Sequence, residues 1–269
     1  MVKKFALLGL CLIIIGVVGS VTTFSSISSG NKQINVNETE KINSESIEAI
    51  TINVEEIDVE IIESENNEVK VELVGDTTNS VEPNFIVEQK GTELVIKVKE
   101  KPTVNLFRFY SPTLTLTVYL PTKAYQSIEI EGVSSDLYLD NLTADEIKLS
   151  TVSGDIEGEK IASKKMEINT VSGDVELVEM TGESTIESKS GDISLEDYDL
   201  TGPINVNTIS GDIYIATLVE PKDVKYKVKT VSGDIDLYST YNATAKIGTG
   251  ALLVTLETIS GDITMESNE

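Results

Sequence analysis

Residues 147–156 read I-K-L-S-T-V-S-G-D-I, and the same phrase returns as M-E-I-N-T-V-S-G-D-V at 166–175 and as I-N-V-N-T-I-S-G-D-I at 204–213. The recurring triplets are Ser153-Gly154-Asp155, Ser172-Gly173-Asp174, Ser190-Gly191-Asp192, Ser210-Gly211-Asp212, Ser232-Gly233-Asp234 and Ser260-Gly261-Asp262, preceded by a degenerate Ser134-Ser135-Asp136. Their Asp residues step by 19, 19, 18, 20, 22 and 28. A period near 20 residues is the mark of a repeat architecture.

With each Asp as position zero, offsets −8, −6, −3, +1 and +3 are apolar in all copies except at Gly158, Ser184 and Lys189. The copy around Asp174, for instance, carries Met166, Ile168, Val171, Val175 and Leu177. Offsets −8 and −6, and again +1 and +3, alternate as strands with one buried face do. The phase slips across Ser-Gly-Asp, so the triplet reads as a corner: Gly supplies an unusual φ, while Ser and Asp bond nearby backbone N–H groups. Units this short cannot bury their own apolar face and must stack. The expected fold is all-β, a single-stranded parallel β-helix over 126–266, with seven rungs at about 4.8 Å reaching roughly 30 Å. The usual hand of parallel crossovers favours a right-handed coil. The later, wider steps, including 241–251, read as loops inserted between rungs.

Residues 45–125 also alternate, as at Ile50, Ile52, Val54 and at Leu94, Ile96, Val98, with turn signals at Glu65-Asn66-Asn67 and Lys90-Gly91. Less regular, partly antiparallel strands that cap or lead into the solenoid are expected, because an open end would invite association. A separate sandwich domain is the alternative.

The amino terminus carries an address. Lys3 and Lys4 precede an uncharged stretch from Phe5 to Phe24, long enough to span a bilayer. The lysines would keep residues 1–4 in the cytoplasm and place the chain beyond a 25–44 linker outside. A cleaved signal peptide, with small residues at Val18-Gly19-Ser20, would give secretion instead. Cys11, the sole cysteine, follows Leu10 and is a poor lipidation site, so the outer fold does not depend on disulfides.

Composition narrows function more by exclusion. The chain has no His, no Trp, one Arg (Arg108), one Cys and a net charge of −24. Ser-His-Asp and Cys-His catalysis and the usual zinc sites are excluded, no cofactor is implied, and nucleic acid is repelled. Carboxylate-based glycoside chemistry stays formally open, and requires two acids outside the corners converging in a groove about 5 to 9.5 Å apart.

The Asp column (Asp136, 155, 174, 192, 212, 234, 262) reads as a local turn cap. The Gly-rich nonapeptide that chelates calcium in other β-helices is absent, which leaves calcium as a lesser alternative. Thr151, Thr170, Ser188, Thr208, Thr230 and Thr258 at offset −4 read as a hydroxyl ladder beside the corner. Lys189 would pack its stem and extend its ammonium to water, or else pair with a buried Asp. Phe107, Arg108, Phe109 and Tyr110 form an aromatic cluster suited to packing or to contact with a partner.

The TVSGDI, TVSGDV and TISGDI phrases, with Tyr119-Leu120-Pro121 opening the repeat region, resemble the bacterial putative-adhesin family of envelope proteins over about 45–265. The resemblance implies a β-helical domain at the cell envelope and brings no catalytic residues. The expected function is a non-enzymatic, membrane-anchored extracytoplasmic module that engages an envelope protein or a glycan. An accessory or sensory role in envelope stress is the alternative, and a carboxylate-dependent carbohydrate-active enzyme a more distant one.

Overall fold

A computed structural model of the chain describes residues 33–78, 83–100, 113–241 and 243–268. The segment 5–24 and the cluster 107–110 lie outside the described residues. Among the described residues no helix is long and apolar enough to cross a membrane.

The described residues are all-β, with eighteen strands in one extended mixed sheet. Two ladders make it up. The first runs, in spatial order, β5 (Pro83–Lys90), β6 (Glu93–Glu100), β2 (Ala49–Val54), β8 (Ala124–Glu131), then the C-terminal halves of β9 (Leu137–Ser150), β10 (Ile156–Asn169) and β11 (Val175–Glu187). It ends with β13 (Ile204–Asn207), β17 (Leu252–Glu257) and β15 (Val224–Lys229). The second begins β1 (Gln33–Asn43), β4 (Glu68–Thr78), β7 (Thr113–Pro121) and β3 (Asp58–Ser64). It continues through the N-terminal halves of β9, β10 and β11 to β12 (Ile193–Tyr198), β14 (Ile213–Thr217), β18 (Ile263–Ser267) and β16 (Ile235–Leu237). Pairing is parallel throughout both stacks from β6 and β7 onward, and the Ser-Gly-Asp corner carries the chain from the first ladder to the second. Antiparallel strands cap one end, β5 on β6 and β4 with β1 on β7.

Why these residues take this form is visible in the columns. Offsets −8, −6, +1 and +3 are buried, as Met166, Ile168, Val175 and Leu177 illustrate. A second bend follows at offset +5, where Asn141, Lys160, Glu179 and Asp197 adopt φ between +49° and +56° without any glycine to announce it. Just beyond, Leu142, Ile161, Met180 and Tyr198 form a further buried column at +6.

The −3 column is not core: Val152 and Ile209 are each 49% exposed and Val231 is 69% exposed. Strand alternation continues from −8 and −6 through −4, so the hydroxyls of Thr151, Thr170, Ser188, Thr208 and Thr258 face inward and their apolar neighbours face out. The stretch 33–43, expected within a linker, is strand β1. Residues 241–251 are not simply an inserted loop, because 243–247 runs antiparallel along β15, with Tyr226 N–H donating to Ala245 O and Val228 N–H to Ala243 O.

The rungs do not stack in chain order. The chain's first parallel rung, β2 with β3, lies between β6/β7 and β8/β9, and its last, β17 with β18, lies between β13/β14 and β15/β16. The step of 28 residues to Asp262 is long because the chain passes that level, completes the outer rung and returns.

Candidate functional site

Each corner is built by backbone. Ser134, Ser153, Ser172, Ser190, Ser210, Ser260 and Ser232 pair in parallel bridges, in that spatial order. The glycine N–H donates to the serine carbonyl of the adjacent rung, as Gly173 does to Ser190 at 3.1 Å. The six Ser-Gly-Asp glycines hold φ between +141° and +153°.

A local turn cap was expected of each Asp, but the carboxylates reach to the adjacent rung instead. The Oδ1 of Asp136 accepts the backbone N–H of Asp155 at 2.9 Å, Asp155 accepts that of Asp174 at 2.8 Å, and the pattern continues through Asp174, Asp192, Asp212 and Asp262 to the N–H of Asp234. Asp58, in a turn with no Ser-Gly before it, begins the series by accepting the N–H of Asp136 at 3.1 Å. The carboxylates stand in single file and clip one rung to the next. Among the described residues no group of three or more His, Cys, Asp or Glu side chains is placed to hold a metal ion.

Beside the corner lies a groove of about 720 Å³ that crosses six rungs. One wall is the outward −3 column: Val152, Val171, Lys189, Ile209, Ile259 and Val231. The other is the outward −5 column: Ser150, Asn169, Glu187, Asn207, Glu257 and Lys229. A smaller hollow of about 310 Å³ meets the same Ser150 and extends the channel past Val133 and Glu131 to Glu55 and Lys99.

The floor is main chain whose offset −4 N–H groups are already paired between rungs. Thr151 N–H donates to Asn169 O, Thr170 to Glu187 O, Ser188 to Asn207 O, Thr208 to Glu257 O and Thr258 to Lys229 O, all at 2.9–3.0 Å. The −4 hydroxyls lie beneath it. Thr151, Thr230 and Thr258 donate to carbonyls of the adjacent corners, while the buried hydroxyls of Thr170, Ser188 and Thr208 have no partner.

Lys189 is exposed and stands on the groove wall rather than in the core. Its replacement of an apolar residue interrupts a surface stripe, so the buried pairing with an Asp does not arise, and the side chain lies at the surface. The only mark of the −5 column in the sequence is the run of polar residues two places before the −3 column, which carries no apolar period.

Glu187 and Glu257 share one wall two rungs apart, about 9.6 Å at the usual rung spacing. They project in parallel, whereas glycosidase carboxylates flank the scissile bond.

No curated protein matches the chain. Crystal structures similar to it include a putative cell adhesion protein from Clostridium sporogenes (14% identity, 87% of this chain and 100% of that one, TM-score 0.43), a putative adhesin from Bacteroides fragilis (13%, 87% and 97%, 0.40) and one from Parabacteroides merdae (14%, 87% and 96%, 0.32). The model of the Toastrack DUF4097 family matches twice, over residues 47–162 and 132–266, and between them the two matches take in nearly all of the stacked rungs and corners. The chain belongs to the Toastrack DUF4097 family.

Proposed function

We propose that the chain is a non-enzymatic binding module of the cell envelope, an adhesin-like protein held to the membrane by residues 5–24, whose ladders form one right-handed parallel β-solenoid that offers its corner groove to a partner outside the cytoplasm. One observation carries the reading: an apolar column, repeated rung after rung, faces solvent along a groove. Isolated exposed apolar residues are ordinary, but a stripe of them broken only at Lys189 and rimmed by polar groups marks an interaction surface. The parallel placement of Glu187 and Glu257 on one wall favours binding over hydrolysis.

The test is to make Val171→Glu and Ile209→Glu together. Both positions point outward, so the thermal midpoint should stay within a few degrees of the parent while binding to isolated cell envelopes falls at least tenfold. Unchanged envelope binding by a folded double variant would remove the groove from the function.

A further inference from the structure

We infer that the groove takes a neutral, unbranched, β-1,4-linked chain of N-acetylated hexosamines, an inference that rests on the groove being the binding surface proposed above. The same two walls recur at every rung from Ser150 and Val152 to Lys229 and Val231, a run of about 24 Å at five intervals of roughly 4.8 Å. Such a channel fits a polymer laid along the stack better than a compact ligand.

A peptide strand is the poorer fit on two counts. The floor is the face of a sheet rather than its edge, and its offset −4 N–H groups and offset −5 carbonyls are already bonded to one another between rungs. A strand's two-residue repeat of about 6.6 Å also falls out of step with rungs of about 4.8 Å.

A sugar chain matches the walls in both chemistry and period. Pyranose rings present C–H faces, which suit the Val and Ile wall, and hydroxyl edges, which suit the polar wall. Along that polar wall the spatial order is Asn169, Glu187, Asn207, Glu257, amide and carboxylate alternating with a period of two rungs, about 9.6 Å. A β-1,4 linkage turns each ring over relative to the last, so the chain's own repeat is two sugars, close to two rungs. Every second ring then presents its acetamido group toward an Asn side-chain amide, which can both donate to it and accept from it. The acetyl methyls of the intervening rings meet the Val and Ile wall across the groove, and the carboxylates between the Asn residues accept from ring hydroxyls.

Charge selects the neutral members of this class. Lys189 and Lys229 balance Glu187 and Glu257 within the groove, while the chain as a whole carries −24 and repels anionic polymers.

Binding of fully N-acetylated chitohexaose, fully N-acetylated chitobiose and cellohexaose to the full chain in nanodiscs tests the inference. Chitohexaose should bind at least tenfold more tightly than chitobiose, because contacts repeat once per rung, and at least tenfold more tightly than cellohexaose, which lacks the acetamido groups. Asn169→Ala and Asn207→Ala should each weaken chitohexaose about tenfold, with the thermal midpoint unchanged. Equal affinity for the two hexamers, or no binding of chitohexaose, overturns the ligand assignment. If chitohexaose fails while the Val171→Glu/Ile209→Glu variant still loses envelope binding, the ligand class is wrong and the groove's function stands; if that variant binds envelopes normally, the underlying reading falls.

Discussion

A methyl group placed on Gly173 would lie 2.0 Å from the carbonyl oxygen of Gly154, at a backbone φ of +150° that other residues rarely adopt. Steric exclusion and conformation therefore demand glycine independently, and Gly173→Ala should lower unfolding free energy by about 3 kcal/mol in chemical denaturation. The neighbouring Asp174 is governed by a closer balance. Its carboxylate gains a hydrogen bond from the Asp192 N–H, worth about 1.5–3 kcal/mol for a charged acceptor, against repulsion of about 0.9 kcal/mol from each adjacent carboxylate in water. Asp174→Asn keeps the acceptor and removes the repulsion, so its stability should fall within about 0.5 kcal/mol of the parent, whereas Asp174→Ala should lose about 2 kcal/mol. An Asn variant as damaged as the Ala variant would show that the charge itself, not the clip between rungs, is needed. The corner was legible in the sequence because Gly recurs with its apolar flanks. The acceptor role of Asp was not, since a period cannot say which atoms of the next rung lie within reach, and Asp58 lacked the triplet altogether.

At the level of the strand, the Thr-Val pair before each corner poses a conflict between hydropathy, which puts Val171 inside, and alternation, which puts Thr170 there. Alternation wins because reversing it would turn out Met166 and Ile168 on the same strand. The sequence alone could not decide this, as Thr and Val share a β-branched shape and the phase slip could be placed on either side of them. Paired substitutions separate the two arrangements. With Thr170 buried and its hydroxyl unpartnered, Thr170→Val should stabilise by about 1 kcal/mol and Val171→Thr should be neutral within about 0.5 kcal/mol; an interior Val171 would reverse that order. The strap at 243–251 is a second element with its own fastening. Asp223 accepts the N–H groups of Gly250 and Ala251 and the hydroxyl of Thr249, and these bonds, led by the Ala251 N–H, hold its carboxyl below the usual carboxylate value. A depressed folded pKa contributes stability that is present above the ordinary value near 3.9 and lost as pH falls through the folded one. Protection of the Gly250 and Ala251 amides, taken relative to their intrinsic exchange rates, should therefore fall below about pH 4, and Asp223→Asn should flatten that dependence.

For the whole molecule, stacking order governs how the ends behave. In a solenoid stacked in chain order the terminal rungs are edges, and they fray first. Here the first and last parallel rungs are each enclosed by two others. Val254 and Leu256 pair with Ile204 and Val206 on one side and with Tyr226 and Val228 on the other, and Ile263 pairs with both Ile213 and Ile235. The lengthening steps toward Asp262 hinted at irregularity, but a parallel repeat is self-similar, and Ile or Val at equivalent offsets fits beside any rung. Register therefore fixes which columns align and leaves order to be set by the connections, whose lengths permit either course. The enclosed order has a measurable consequence in native-state hydrogen exchange of the full chain. Amides of 252–257, close to the carboxyl terminus, should exchange as slowly as those of 204–207 at the interior of the stack, and more slowly than those of the outermost amino-terminal strand, 33–43. Rapid exchange across 252–267, with protection rising steadily toward the middle of the sequence, would mean that the chain stacks in simple order and that its last rung is an edge.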